Sequence, residues 1–173
     1  MKLLTDSLET PIGAVQIVAL DGKLVLVDFV DNSVRIQSIL GKHFGSFTLQ
    51  PCPLPEFRSP LEAYFAGEFG VIHTLPVDSG GTSFQRNVWN ALLEIPAGET
   101  WSYGQLAAHI GNPTAVRAVG ATNGLNPISL VLPCHRVIGS GGALTGYAGG
   151  LHRKKWLLEH ELKFAASSQT GLF

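Results

Sequence analysis

The chain has 173 residues, of which 45% are hydrophobic and 14% charged, with a formal net charge of −1. These proportions describe a compact globular protein with a buried core and exclude a disordered chain. No run of about 18 apolar residues occurs, which excludes a membrane-spanning helix, and the two cysteines, Cys52 and Cys134, match no metal-finger spacing.

The first residues, "MKLLTDSLETPIG", meet charges quickly and make a poor signal peptide, so a cytoplasmic chain with reduced thiols is expected. "GAVQIVALDGKLVLVDFVD" reads as two β-strands joined at Asp21-Gly22, a hairpin signal. "SVRIQSILGKHFG" reads as a short helix and "PCPLPEF" as a proline-rich loop. "SPLEAYFAGEF" reads as a second helix, with Ser59 as cap and Pro60 in its first turn, and "IHTLPVD" as one more strand. This N-terminal α/β domain is expected to span residues 1–78, with a linker at 79–82, a second domain at 83–165 and a tail at 166–173.

The second half differs in charge. Residues 1–82 hold five Lys/Arg against nine Asp/Glu, a balance of −4, while 83–173 hold seven against four, a balance of +3. Such asymmetry fits a C-terminal half that meets a negative partner, although solvated faces of one protein also differ in sign. "TSFQRNVWNALLEIPAG" carries a capping box from Thr82 to Gln85, then Phe84, Val88, Trp89, Leu92 and Ile95 at helical spacing. "SYGQLAAHIG" repeats the device from Ser102 to Gln105 and stops at Gly111. "NPTAVRAVGATNG" begins a third helix with Asn112 as cap and Pro113 at its first position, so these two short helices form a helix-turn-helix candidate. At about 100° per residue, Val116, Val119 and Gly120 face the core, while Thr114, Arg117, Ala118 and Ala121 make a slim opposite face with one long cation. That face suits close approach to another surface, or equally an Ala-rich helix packed on both sides with Arg117 in an ion pair.

"ISLVLPCHRVIG" then reads as a buried strand that ends in Cys134 and His135. A buried cysteine is ordinarily a small hydrophobe. Here Pro133 precedes it, and His135 and Arg136 follow where the chain leaves its apolar run, the surroundings that favour a reactive thiolate. Consecutive strand residues point to opposite faces, so contact between Cys134 and His135 requires a turn or a bridging water. The glycine-rich loop "GSGGALTGYAGG" fails the dinucleotide pattern at Leu144; it is either a ligand-closing loop with Tyr147 as a wall or a plain flexible one. On the last helix, "LHRKKWLLEHEL", Glu161 is half-buried and pairs either with a histidine, completing a Cys–His–Glu relay, or with Lys154 or Lys155. No metal is expected, because a zinc deaminase needs a second cysteine where Val137 stands.

Together these segments resemble the O6-alkylguanine-DNA alkyltransferases, the methylated-DNA–protein-cysteine methyltransferases, in their shorter bacterial Ogt form. The likeness rests on "NPISLVLPCHRVIG" with its Pro-Cys-His-Arg-Val signature, on "GYAGGLHRKKWLLEHE" and on "SYGQLAAHIGNPTAVRAVGATNGLNP". It implies an α+β fold of two domains: an N-terminal ribonuclease H-like sheet with helices, and a C-terminal helical domain with a winged-helix-like helix-turn-helix. It implies Cys134 as alkyl acceptor, His135 taking its proton through a water, Glu161 orienting His135, and Asn126 bracing the turn before the active site. Arg117 is then the residue that fills the place of a flipped base from the minor groove, with Thr114, Ala118 and Ala121 on the same DNA-facing surface. Tyr103 presses on the neighbouring phosphate and bonds the base, and Ser129, Val137, Tyr147 and Ala148 complete the pocket. Ala148 stands where some relatives have Ser, and Ser129 where others have Pro, which bears on substrate breadth. The implied activity is single-turnover repair of O6-alkylguanine, and of O4-alkylthymine, in duplex DNA by a monomer without cofactor.

Three rivals use the same residues. A thiol hydrolase would combine Cys134 and His135 with Asn123 or Asn126 and turn over repeatedly. A non-catalytic protein would bind alkylated bases and recruit other repair factors. A transcription factor would use the helix-turn-helix in the major groove.

Overall fold

The structure, a computed structural model, describes the backbone of residues 1–170 and the side chains through Ala165. The fold is α+β, and the chain separates into two compact units, Met1–Gly81 with Pro127–Val131, and Thr82–Asn126 with Leu132–Phe173.

In the first unit, strands β1 (Lys2–Leu8), β2 (Val15–Leu20), β3 (Lys23–Phe29) and β4 (Thr48–Pro51) form one mixed sheet in the order β3-β2-β1-β4. Asp21 and Gly22 both take positive φ, 51° and 77°, the mirror-image turn whose twist suits a tight β2–β3 hairpin. Helix α1 (Ser33–Phe44) lays Ile36 and Leu40, one turn apart, on Leu3, Val18, Val25 and Leu26. Strands β1 and β4 were not expected from the sequence; β1 lies inside the sheet and β4 at its edge. β4 falls largely before the proline-rich loop and pairs parallel with β1, and Pro51 ends it on an edge where a missing N–H is tolerated.

Two further expectations need correction. Helix α2 runs from Pro55 to Phe65, so the residue at its first turn is Pro55, and Pro60 lies inside it. Both prolines offer a start, but the buried stripe Phe57, Leu61, Tyr64 begins before Ser59 and requires the earlier one. "IHTLPVD" is a single 3-10 turn, Val71–Thr74, followed by one bridge from Val77 to Leu24. The apolar stretch 128–133 is not a strand either. Ile128 bridges Val27, Leu130 has φ 73°, and its hydrophobicity reflects burial of an irregular segment.

The second unit begins with α3 (Ser83–Leu92), and the expected capping box at Thr82 and Gln85 is present in both directions. Val88, Trp89 and Leu92 are buried, and the Trp89 indole donates to the Thr122 carbonyl at 2.8 Å. After β5 (Trp101–Ser102), the second capping box opens α4 (Tyr103–His109). Gly111, at φ 79°, turns the chain toward α5. That helix spans Val116–Gly124, three residues later than Pro113 predicts, and residues 112–115 form a turn closed by the Ala115 N–H on the Asn112 carbonyl. Val119 is buried as expected, but beside Thr122 and Asn123, whereas Gly120 is half-buried and Val116 is 39% exposed. A 3-10 turn at Cys134–Arg136 leads into β6 (Val137–Ile138), which pairs parallel with β5. Helix α6 (Leu151–Thr170) runs past the expected tail boundary at 166, and residues 171–173 lie outside those described.

Candidate active site

Pro133 cannot donate a backbone N–H, and the chain turns immediately after it. The 3-10 geometry of Cys134–Arg136 keeps the side chains of Cys134 and His135 from pointing to opposite faces, as a strand would make them. The turn is held from three directions. The Cys134 N–H donates to the Leu132 carbonyl at 2.8 Å, Asn123 Nδ2 donates to the Cys134 carbonyl at 3.2 Å, and Asn126 Nδ2 donates to the Leu132 carbonyl at 2.7 Å. Asn126 thereby closes the excursion of residues 127–131. Cys134 is 6% exposed and so counts among the buried residues.

Beneath the turn lies a fully buried ionic group. Glu161 on α6 meets His135 Nε2 at 2.7 Å and accepts from Arg136 Nε at 2.8 Å and Arg136 Nη2 at 2.9 Å. The third guanidinium arm, Nη1, donates to the Ile95 carbonyl at 2.8 Å. Burial alone would raise the Glu161 carboxyl, but the charge and hydrogen bond of His135, and then those of Arg136, outweigh it and hold it well below the usual carboxylate range. With Nε2 committed to the carboxylate, Nδ1 is the histidine nitrogen left to serve another partner. Glu161 thus pairs with His135 and not with either lysine.

Lys154, one of those lysines, is itself buried. Its Nζ donates to the Val137 carbonyl at 2.6 Å and to the Thr145 carbonyl at 2.8 Å. Burial lowers its pKa to about 8, against the opposing pull of Cys134. Tyr103 is half-buried, and its hydroxyl also donates to the Thr145 carbonyl, at 3.1 Å. Tyr147 and Ala148 are half-buried in the glycine-rich loop, and Val137 is buried. Thr114, Arg117, Ala118 and Ala121 are exposed, although Thr114 precedes α5 and is not on the helix. Ser129 is buried and packs with the first unit, its N–H on the Val27 carbonyl at 2.9 Å. Among the described residues no cluster of three His, Cys, Asp or Glu is placed to hold a metal ion, and no helix is long and apolar enough to cross a membrane.

Residues 83–163 match the family model described as the DNA-binding domain of 6-O-methylguanine DNA methyltransferase. Over 165 residues, covering 93% of this chain and 96% of the relative, the sequence is 45% identical to the methylated-DNA–protein-cysteine methyltransferase of Shigella flexneri. The chain belongs to the methylated-DNA–protein-cysteine methyltransferases. Its fold also matches the crystal structure of Mycobacterium tuberculosis OGT in complex with DNA, with a TM-score of 0.79, 41% identity, and 95% and 94% of the two chains covered. The O6-methylguanine-DNA methyltransferase of the hyperthermophilic archaeon Pyrococcus kodakaraensis superposes with a TM-score of 0.68 at 25% identity, covering 92% of this chain and 98% of its own.

For a methyltransferase of this kind, three residues take parts at the site other than those the sequence suggests. Arg136 follows Cys134 and reads there as a nearby cation, and it proves to be the fork that completes Glu161. Asn123 bonds the Cys134 carbonyl and Lys154 the Val137 carbonyl just after that turn. An inward-facing polar residue on a short helix, or a lysine in a basic run, carries no periodic signal by which to find it.

Proposed function

We propose that this protein repairs alkylated DNA by transferring the alkyl group of O6-alkylguanine, and of O4-alkylthymine, from a flipped base to Cys134. DNA is its partner. The observation that supports this most directly is a cysteine on a constrained turn backed by the buried His135–Glu161–Arg136 group. In this reading His135 accepts the thiol proton through a water, and Glu161 fixes the ring and stabilises its charged form. The thiolate attacks the alkyl carbon in line. The S–C bond forms as the bond from that carbon to the exocyclic oxygen breaks, its electron pair stays on the base, and the departing base takes up one proton. The thioether has no hydrolytic exit, so each molecule acts once.

A base inside a duplex must first be everted, at a cost of about a few kcal/mol. Arg117 projects from the exposed, slim side of α5 and takes the vacated place from the minor groove, while Thr114, Ala118 and Ala121 permit close approach. Tyr103 contacts the neighbouring phosphate and the base, and Ser129, Val137, Tyr147 and Ala148 line the pocket. Asn126 braces the turn on which the sulfur sits. We read the first unit as ribonuclease H-like and the helix pair with its short strands as winged-helix-like, in a monomer that works in the cytoplasm without a cofactor. Intact-mass analysis after incubation with methylated duplex DNA should find one added methyl group per chain, on the peptide containing Cys134. Repeated turnover, or a methyl group elsewhere, would refute the reading.

A further inference from the structure

Lys154 has no role in the transfer as described. Its side chain is 0% exposed, and among the described residues its ammonium bonds only two backbone carbonyls, of Val137 and Thr145, with no carboxylate partner. The Tyr103 ring lies 6.0 Å from Nζ. Neutral carbonyls compensate a buried charge poorly, so an ammonium retained there calls for an anion. The group that acts on it electrostatically, against the effect of burial, is Cys134. The two acceptors also matter by position, since Val137 begins β6 directly after the nucleophile's turn and Thr145 lies in the glycine-rich loop.

We propose that Lys154 is a positioning residue for the transfer: its ammonium is the fixed counter-charge of the Cys134 sulfur, and its two carbonyl bonds tie the strand after the nucleophile to the glycine-rich loop. This rests on Cys134 being the alkyl acceptor. It adds to the histidine relay, because a proton acceptor moves the proton once while a fixed cation favours the anion throughout. It also has a consequence after the reaction. A thioether carries no charge, so alkylation leaves the ammonium with neutral acceptors alone, and Lys154 then holds its proton less tightly. The titratable groups of the surrounding elements include His135 and Arg136 on the turn, Tyr103 and His109 on α4, Tyr147 in the loop, and, on α6 itself, buried Arg153, His160 and Glu161 together with His152, Lys155, Glu159 and Lys163. Arg136 and His135 are both committed to Glu161, whereas the ammonium of Lys154 meets backbone carbonyls.

The test uses Lys154→Met, which keeps length and removes charge, in a Cys52→Ser background so that one thiol is titrated. The Cys134 thiol should titrate about one pH unit or more higher, and methyl transfer from duplex DNA at neutral pH should slow by about ten-fold. The deficit should shrink as pH rises and the thiolate is restored, which a purely structural defect would not produce. An unchanged thiol titration in a folded Lys154→Met protein overturns the proposal. Should that variant fail to fold, NMR of the unsubstituted protein labelled at lysine nitrogen decides the matter. The Lys154 titration should move to lower pH on methylation of Cys134, and an unmoved titration overturns the proposal. Failure of the unsubstituted protein to gain a methyl group would instead sink the alkyl-acceptor reading itself.

Discussion

At the scale of single residues, Glu161 carries two tasks that pull in the same direction. It is the hydrogen-bond partner of His135 and the counter-ion of Arg136, whose side chain is wholly buried. Removing one member of a buried pair leaves the other uncompensated, so Glu161→Gln should destabilise the fold by about 3–5 kcal/mol. It should also weaken the imidazole as proton acceptor and raise the pH at which the Cys134 thiol ionises. The native carboxyl is held below its unfolded value, so its stabilisation is complete above about pH 4.3, the unfolded carboxylate pKa. It is lost as pH falls further, because the unfolded chain then binds a proton that the folded one resists. Urea unfolding from neutral to acid pH should therefore show a steep loss for the unsubstituted protein and a flatter one for Glu161→Gln. Equal slopes in the two proteins would exclude Glu161 as the group responsible.

At the scale of elements, the helix-turn-helix candidate shows both what the sequence makes legible and what it conceals. The capping boxes at Thr82 and Ser102 were readable because they are local: a hydroxyl and an amide three residues apart satisfy each other's backbone whatever the rest of the protein does. The Asp21-Gly22 hairpin was readable for the same reason. The start of α5 was not, because Asn112-Pro113 is a good helix opening that the structure spends on a turn. Its inward face was misread because Thr122 and Asn123 are polar yet buried, and the cause is non-local. Thr122 offers its carbonyl to Trp89, and Asn123 bonds the Cys134 carbonyl. Of the site, Cys134 and His135 stood out by their neighbours, whereas the Glu161–Arg136 fork depends on α6 meeting the turn, which no spacing in the sequence specifies. Arg117 stays exposed in either registration of α5. Arg117→Ala should therefore impair transfer from alkylated duplex by about ten-fold or more while sparing reaction with free O6-alkylguanine, because only the duplex needs a stand-in for the everted base. Equal losses on both substrates would remove its wedge role. Ser102→Ala should cost about 1 kcal/mol through loss of the α4 cap, a difference readable in thermal unfolding.

At the scale of the whole molecule, the positive balance of residues 83–173 belongs to the half that carries Cys134. That balance is partly internal, however, since Arg136, Arg153 and Lys154 are all buried, whereas Glu161 is the one buried carboxylate among the described residues of this half. A thiolate at Cys134 brings this interior closer to neutrality, and alkylation removes that charge permanently. The added group must also fit at a residue that is only 6% exposed, and overpacking a fitted interior typically costs about 1–3 kcal/mol. Both effects act on the folded state only, so the methylated protein should melt lower, by roughly 2–10 °C for a chain of this size. Calorimetry before and after exhaustive methylation measures the difference directly. Larger alkyl groups should lower the melting temperature further if overpacking dominates, whereas methyl and benzyl adducts should fall alike if loss of the sulfur charge dominates. A melting temperature that holds or rises on methylation would mean that the cavity accommodates the thioether without strain and that the buried cations do not depend on the sulfur.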